Sequence, residues 1–219
     1  MPSGKGTLLK NLGEYVAERH GAAAWRAVVD PLPEDDRAII DGLLLVGGWY
    51  PVGVWNRCIK SYITQFAKDA DAEMTAVARH IADHDLNTLF KVLLKMGSAE
   101  FVLGRTDSLW SRYFDMGAFE NHEVDRRKWA LKLTAPVGED EAPGELTCGP
   151  GVCGWLTQAL QLTGVKAPRG AAASISSHGP VVATTRRPRS AAMKPGSSPG
   201  TGLIGRSSAT LPSGPTHMS

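Results

Sequence analysis

Histidine, cysteine and aromatic residues are the side chains of this chain whose types and spacing could do chemistry. His80 and His84 stand four apart beside Asp83 and Asp85, in a segment where Met74, Val77, Ala78 and Ile81 recur at helical spacing. On a helix that spacing puts both imidazoles on one face, as helical zinc sites require. A metal would need a third and a fourth ligand, and no His-Glu-x-x-His signature is present. His80 and His84 are therefore candidate metal ligands whose ordinary reading is a pair at the edge of a buried stripe. His122 falls in a predicted strand between Glu120 and Glu123. Cys148 and Cys153 lack the C-x-x-C spacing of redox or zinc sites. Cys148 precedes a predicted helix, whose dipole would lower a thiol pKa, but no paired base accompanies it. Gly4-Lys5-Gly6-Thr7 imitates the end of a P-loop without the strand or the spaced glycine. No Gly-x-Ser-x-Gly elbow exists, and Glu139-Asp140-Glu141 is loop charge. The expectation is a protein that is not an enzyme and has no catalytic residue. No cofactor is expected; haem and zinc are the groups these histidines could hold.

The aromatic residues offer a different chemistry. Trp49, Trp55, Phe90, Trp110 and Tyr113 are the candidate lining of a cavity for a small hydrophobic molecule. The same stripes would equally fill an ordinary core.

The elements that must position these residues are mostly helical. Helices are expected over residues 7–20 and 22–29, then from the acid-rich start at Glu34-Asp35-Asp36 to about residue 45, broken by Gly47-Gly48. Past Pro51, the spacing of Val54, Trp55, Cys58, Ile59, Tyr62, Ile63 and Phe66 predicts a helix. Further helices are expected over 71–84 and 88–96, with short ones opening at Ser98 and Thr106. The period then changes to two, and 118–124 with 128–134 predict an antiparallel hairpin turning near 125–127. After a polar loop at 136–145, a final helix is expected over 150–163, closed by Gly164. The fold class is α+β: a mostly helical body, a small antiparallel sheet and a final helix.

Three segments carry a resemblance: Gly48-Trp49-Tyr50-Pro51, Phe90 to Ser98, and Leu109-Trp110-Ser111-Arg112-Tyr113-Phe114-Asp115-Met116-Gly117. Together with Gly154-Trp155-Leu156 they resemble an uncharacterised paralogous family expanded in myxobacteria, with domains of roughly 200 residues. The resemblance covers about residues 5–166. The order of helices, hairpin, helix and closing strands is in turn similar to the superfamily of haem–nitric-oxide-binding and vinyl-reductase-like domains. That similarity implies an enclosed small hydrophobic ligand. It would also place an iron-ligating histidine on a helix over an apolar pocket, and no matching position is identifiable here. Family members continue past the last helix into a Cys-Arg-x-x-Gly…Cys…Trp type of ending, from which this chain departs after Arg169. If the closing strands were missing, the hairpin would keep an unpaired edge.

Composition sets the outer bounds. With 42% hydrophobic and 21% charged residues, the 219-residue chain is expected to be globular. Its longest apolar run, 42–49, is far short of the roughly 20 residues a membrane span needs. Three cysteines do not make a disulfide scaffold, and the first residues lead into no signal-peptide core. Six of the 24 Lys and Arg, and none of the 22 Asp and Glu, fall after residue 167. Residues 1–167 therefore carry 18 basic and 22 acidic groups, a net of −4. Two domains are expected: the α+β body at 1–167, and a disordered basic Ser/Pro/Gly-rich tail at 168–219, with no aromatic residue, whose composition also fits a frame-shifted or divergent end. Six charges over that length favour a solvated linker over specific nucleic-acid contact. The expected function is a cytoplasmic, non-enzymatic sensory or regulatory module for a small hydrophobic ligand. The alternative is an interaction module that meets a second copy or a signalling partner and holds no small molecule.

Overall fold

The computed structural model describes residues 1–88, 98–125, 128–136, 138–164, 171–172 and 181–184. Within them the chain runs β1 (Ser3–Lys5), α1 (Gly6–His20), α2 (Ala22–Val29), α3 (Glu34–Asp41), β2 (Trp49–Pro51), α4 (Val52–Phe66) and α5 (Ala70–Thr88). Two short helices follow, α6 (Ala99–Leu103) and α7 (Thr106–Trp110), then the hairpin β3 (Ala118–Asp125) and β4 (Lys128–Thr134). A π-helical turn (Thr147–Gly151) leads into α8 (Val152–Leu162), and β5 (Ala171–Ala172) and β6 (Val181–Thr184) close the order. The α+β expectation stands. The helix expected over 88–96 lies outside the described residues, apart from Thr88.

The helix expected to reach residue 45 stops at Gly42. The reason lies at the start of α1, whose first amides have no intrahelical acceptor. Gly6 N–H donates to Gly48 O at 3.0 Å and Thr7 N–H to Val46 O at 3.0 Å. Leu45 O presses so close to Gly6 that a Cβ there would overlap it. Segment 43–48 is thus an irregular cap on α1, and its apolar run does not continue α3.

β1 pairs antiparallel with β2, Gly4 opposite Tyr50. On its other edge β1 meets the segment after α7, with Lys5 N–H donating to Tyr113 O at 2.8 Å and Asp115 N–H to Ser3 O at 3.1 Å. The second sheet has the order β3-β4-β6-β5. β6 covers the far edge of β4, Lys128 opposite Thr184 and Leu131 opposite Val181. The hairpin edge is therefore paired, by strands from the segment whose composition marks a tail.

The core joins α1, α4, α5, α8 and the hairpin, with Leu12, Val16, Trp55, Cys58, Tyr62 and Leu131 almost fully excluded from solvent. α5 and α8 pack along one another. Gly154 makes the approach feasible, since a Cβ there would overlap the Thr75 carbonyl. No helix among the described residues is long and apolar enough to cross a membrane.

Candidate functional site

Where α4, α5, α7 and α8 converge, the core leaves a cavity of about 70 Å³. α5 contributes Met74, Ala78 and Ile81 at helical spacing; α4 contributes Trp55. α7 and the turn after it bring Trp110, Tyr113 and Phe114, and the π-helical turn and α8 bring Thr147, Trp155 and Leu156. Among the described residues, the lining holds no ionisable group except the Tyr113 phenol.

Its polar atoms are already engaged. Trp55 Nε1 donates to Thr147 Oγ1 at 3.0 Å, Trp110 Nε1 to Met116 O at 2.8 Å, and Trp155 Nε1 to Tyr113 Oη at 3.2 Å. Thr106 Oγ1 donates to Leu103 O at 3.2 Å. Tyr113 Oη donates to Asp85 Oδ2 at 2.9 Å. Asp85 is buried and also accepts from Thr7 Oγ1 at 3.1 Å and Asn11 Nδ2 at 3.0 Å on α1. Burial first, and then the Asp85 charge, hold the Tyr113 phenol well above its ordinary value, so the phenol stays a neutral donor. What faces the cavity is hydrocarbon and aromatic surface.

The five aromatic candidates separate in space. Trp55, Trp110 and Tyr113 come together on this lining. Trp49 is 44% exposed, with Lys5 Nζ 3.9 Å above its ring. Phe90 lies outside the described residues. Sequence reasoning passed over Trp155, Met74 and Ala78 as lining residues, although Met74 and Ala78 stood in the α5 stripe.

Neither histidine of the candidate pair reaches the cavity. His80 turns toward α1, its ring 5.3 Å from that of Tyr15 and its Nδ1 3.9 Å from Glu18 Oε2; its Nε2 is buried without a hydrogen-bond partner. His84 Nδ1 lies 3.4 Å from Asp85 Oδ1. His122 is exposed on β3. No cluster of three or more metal-ligating side chains occurs among the described residues. Cys148 is buried, and its thiol, expected to be lowered by a helix dipole, is instead pushed up to about 12 by burial.

No protein-family model matches the sequence, and no curated protein sequence matches it. Solved structures do match in fold. An Fe(II) unliganded H-NOX protein variant from K. algicida matches with a TM-score of 0.58 at 10% identity, over 73% of this chain and 83% of that one. An H-NOX protein from S. oneidensis in the Fe(II)NO ligation state matches with a TM-score of 0.57 at 14% identity, over 74% and 86%. A protein solved in a study of haem redox potential and porphyrin distortion matches at 0.52 and 11%, over 73% and 85%. The chain has the fold of these proteins.

These matches correct the expectation of no cofactor: haem is the group that this architecture implies. The cavity can be tested against it. Its described lining carries no imidazole or thiol, and its one phenol is bound to Asp85. The imidazole with an unpartnered nitrogen, His80, stands on the α1 side of α5. A volume of about 70 Å³ is several-fold below the roughly 300–1,000 Å³ of pockets that bury drug-sized ligands. The described residues of this cavity do not fit a haem held by an axial side chain.

Proposed function

We propose that the chain is a non-enzymatic sensory or regulatory module that encloses a small hydrophobic ligand in the cavity between α4, α5, α7 and α8. One observation carries the reading: the described lining turns each of its indole N–H groups and its phenol to protein partners. A ligand inside meets no unsatisfied donor from these groups, so apolar molecules are favoured over polar ones. The H-NOX fold supports the sensory part, because the matching structures are described by the ligation state of a bound iron.

Native against denaturing mass spectrometry of the full chain, with absorption spectra after expression with added haem, tests this reading. A small apolar adduct that leaves on denaturation supports it. A haem adduct with a Soret band would assign the fold's own cofactor and overturn the side-chain argument above. A chain that retains nothing and takes up no apolar probe would refute the cavity as a ligand site.

The interaction-module reading is favoured by a separate feature, the exposed apolar loop with Leu43 at 84% and Leu45 at 55% exposure, beside Val46 and Trp49. It calls for a stable dimer or a partner complex without a small-molecule adduct, visible in the same native spectrum.

A further inference from the structure

Leu43, Leu45, Val46 and Trp49 are exposed together on the irregular cap of α1, Leu43 most of all. Leu44, between them, packs against the core and anchors the loop, and no residue from Gly42 to Asn56 carries a charge. A single exposed leucine is ordinary surface; four large apolar side chains on one loop mark an interaction site.

The backbone of the loop narrows what can cover it. Leu44 N–H donates to Gly42 O at 3.0 Å, Leu45 N–H to Tyr50 Oη at 2.8 Å, and Gly48 N–H to Leu45 O at 2.9 Å. Val46 O and Gly48 O accept from the first amides of α1, and Gly47 O accepts from Lys5 Nζ at 2.9 Å. Peptide groups committed in this way lower the cost of entering hydrocarbon. They also leave less to offer a protein partner, whose interface carries about one hydrogen bond per 100–200 Å². The charges at the base of the loop fit the same occupant. Asp41, the acid next to the loop, is tied to Arg26 at 2.6 Å, and Lys5 Nζ sits 3.9 Å above the Trp49 ring. An aliphatic tip, then an indole, then an ammonium is the order of chemistry from the acyl chains to the headgroups of a bilayer.

We propose that segment 43–49 dips into the hydrocarbon–headgroup boundary of a lipid bilayer, with Leu43 and Leu45 leading and Trp49 and Lys5 at headgroup level. None of these residues lines the cavity between α4, α5, α7 and α8, so the proposal stands apart from the ligand-binding reading.

The test sediments the full chain with phosphatidylcholine vesicles, with and without phosphatidylserine, and reads tryptophan emission against phosphatidylcholine brominated in its acyl chains. The wild type sediments with both vesicle types. One lysine favours the anionic vesicles by no more than about fivefold, and the bromines quench tryptophan emission. Leu43→Ser/Leu45→Ser weakens vesicle binding by at least about tenfold. Its urea midpoint matches the wild type because both side chains are exposed in the folded chain. Trp49→Phe keeps vesicle binding and loses the bromine quenching. A wild type that sediments with neither vesicle, or a double variant that binds as well as the wild type, overturns the proposal. Binding confined to phosphatidylserine vesicles and lost in high salt overturns it too, since that is attraction by surface charge. A wild-type dimer in solution that Leu43→Ser/Leu45→Ser dissolves would assign the loop to a second copy of the chain instead.

Discussion

Filling the cavity separates a ligand site from an imperfectly packed core. Ala78 is buried on α5 and faces the space, and leucine is a strong helix former, so Ala78→Leu adds side-chain volume without opposing the backbone. Cavity volume weighs on stability at roughly 24 cal/mol per Å³, so occupying about 70 Å³ stabilises the ligand-free chain by about 1.7 kcal/mol. For a domain of this size that corresponds to a rise in Tm of about 3–7 °C. The same side chain takes the place of any ligand, so the adduct in native mass spectra and the uptake of apolar probes are lost together. Urea denaturation of ligand-free wild type and variant reads the stability, and probe titration reads the binding. A destabilisation of about 1 kcal/mol or more, the response of an overpacked site, would show that these residues already meet and that no usable space exists. A more stable variant that keeps full probe affinity would place the ligand elsewhere.

Other perturbations test the scaffold. Asp85→Ala leaves the Tyr113, Asn11 and Thr7 donors without their buried acceptor, and the urea midpoint should report a loss of about 3 kcal/mol or more. Arg57 makes a two-pronged ion pair to the buried Asp36, at 2.5 and 2.9 Å. Arg57→Ala should cost about 2–3 kcal/mol, less than a fully buried pair because Arg57 is 27% exposed. Burial pushes the Cys58 and Cys148 thiols from 9.0 up to about 12, so native protein should resist iodoacetamide at pH 8 and react once unfolded in urea. The raised values also set a sign. Stability that both thiols leave untouched below pH 9 falls as pH rises toward 12, by about 1.4 kcal/mol per pH unit for each thiol, and denaturation midpoints across pH 8–11 would show it.

The parts legible in the sequence were those governed by local periodicity. The stripe from Val54 to Phe66 became α4, the alternation around Trp129 became β4, and Gly164 ended the last helix with a φ of 86°. What escaped was set by contacts distant in sequence. Segment 43–48 left its helical pattern because its carbonyls satisfy α1 amides some 40 residues away in sequence. Trp49 and Trp110 look alike as aromatic positions, yet one lies under Lys5 at the surface and the other lines the cavity. Asp85 stood beside His84 as a possible metal neighbour, and its role as acceptor for three residues of other elements depends wholly on tertiary packing.

Tyr113 shows how polar groups can shape an apolar space. Its ring faces the cavity because its hydroxyl is drawn outward to Asp85, and Trp155 is oriented in turn by donating to that hydroxyl. A buried carboxylate is stable there because donors from α1 and from Tyr113 surround it. The chain from Trp155 through Tyr113 and Asp85 to Asn11 therefore connects the cavity wall to α1 by hydrogen bonds that an apolar ligand cannot itself replace. A ligand that displaces the Trp155 ring must either carry Tyr113 with it or leave an indole N–H unpaired. Either response changes the set of donors around Asp85 that α1 shares through Thr7 and Asn11.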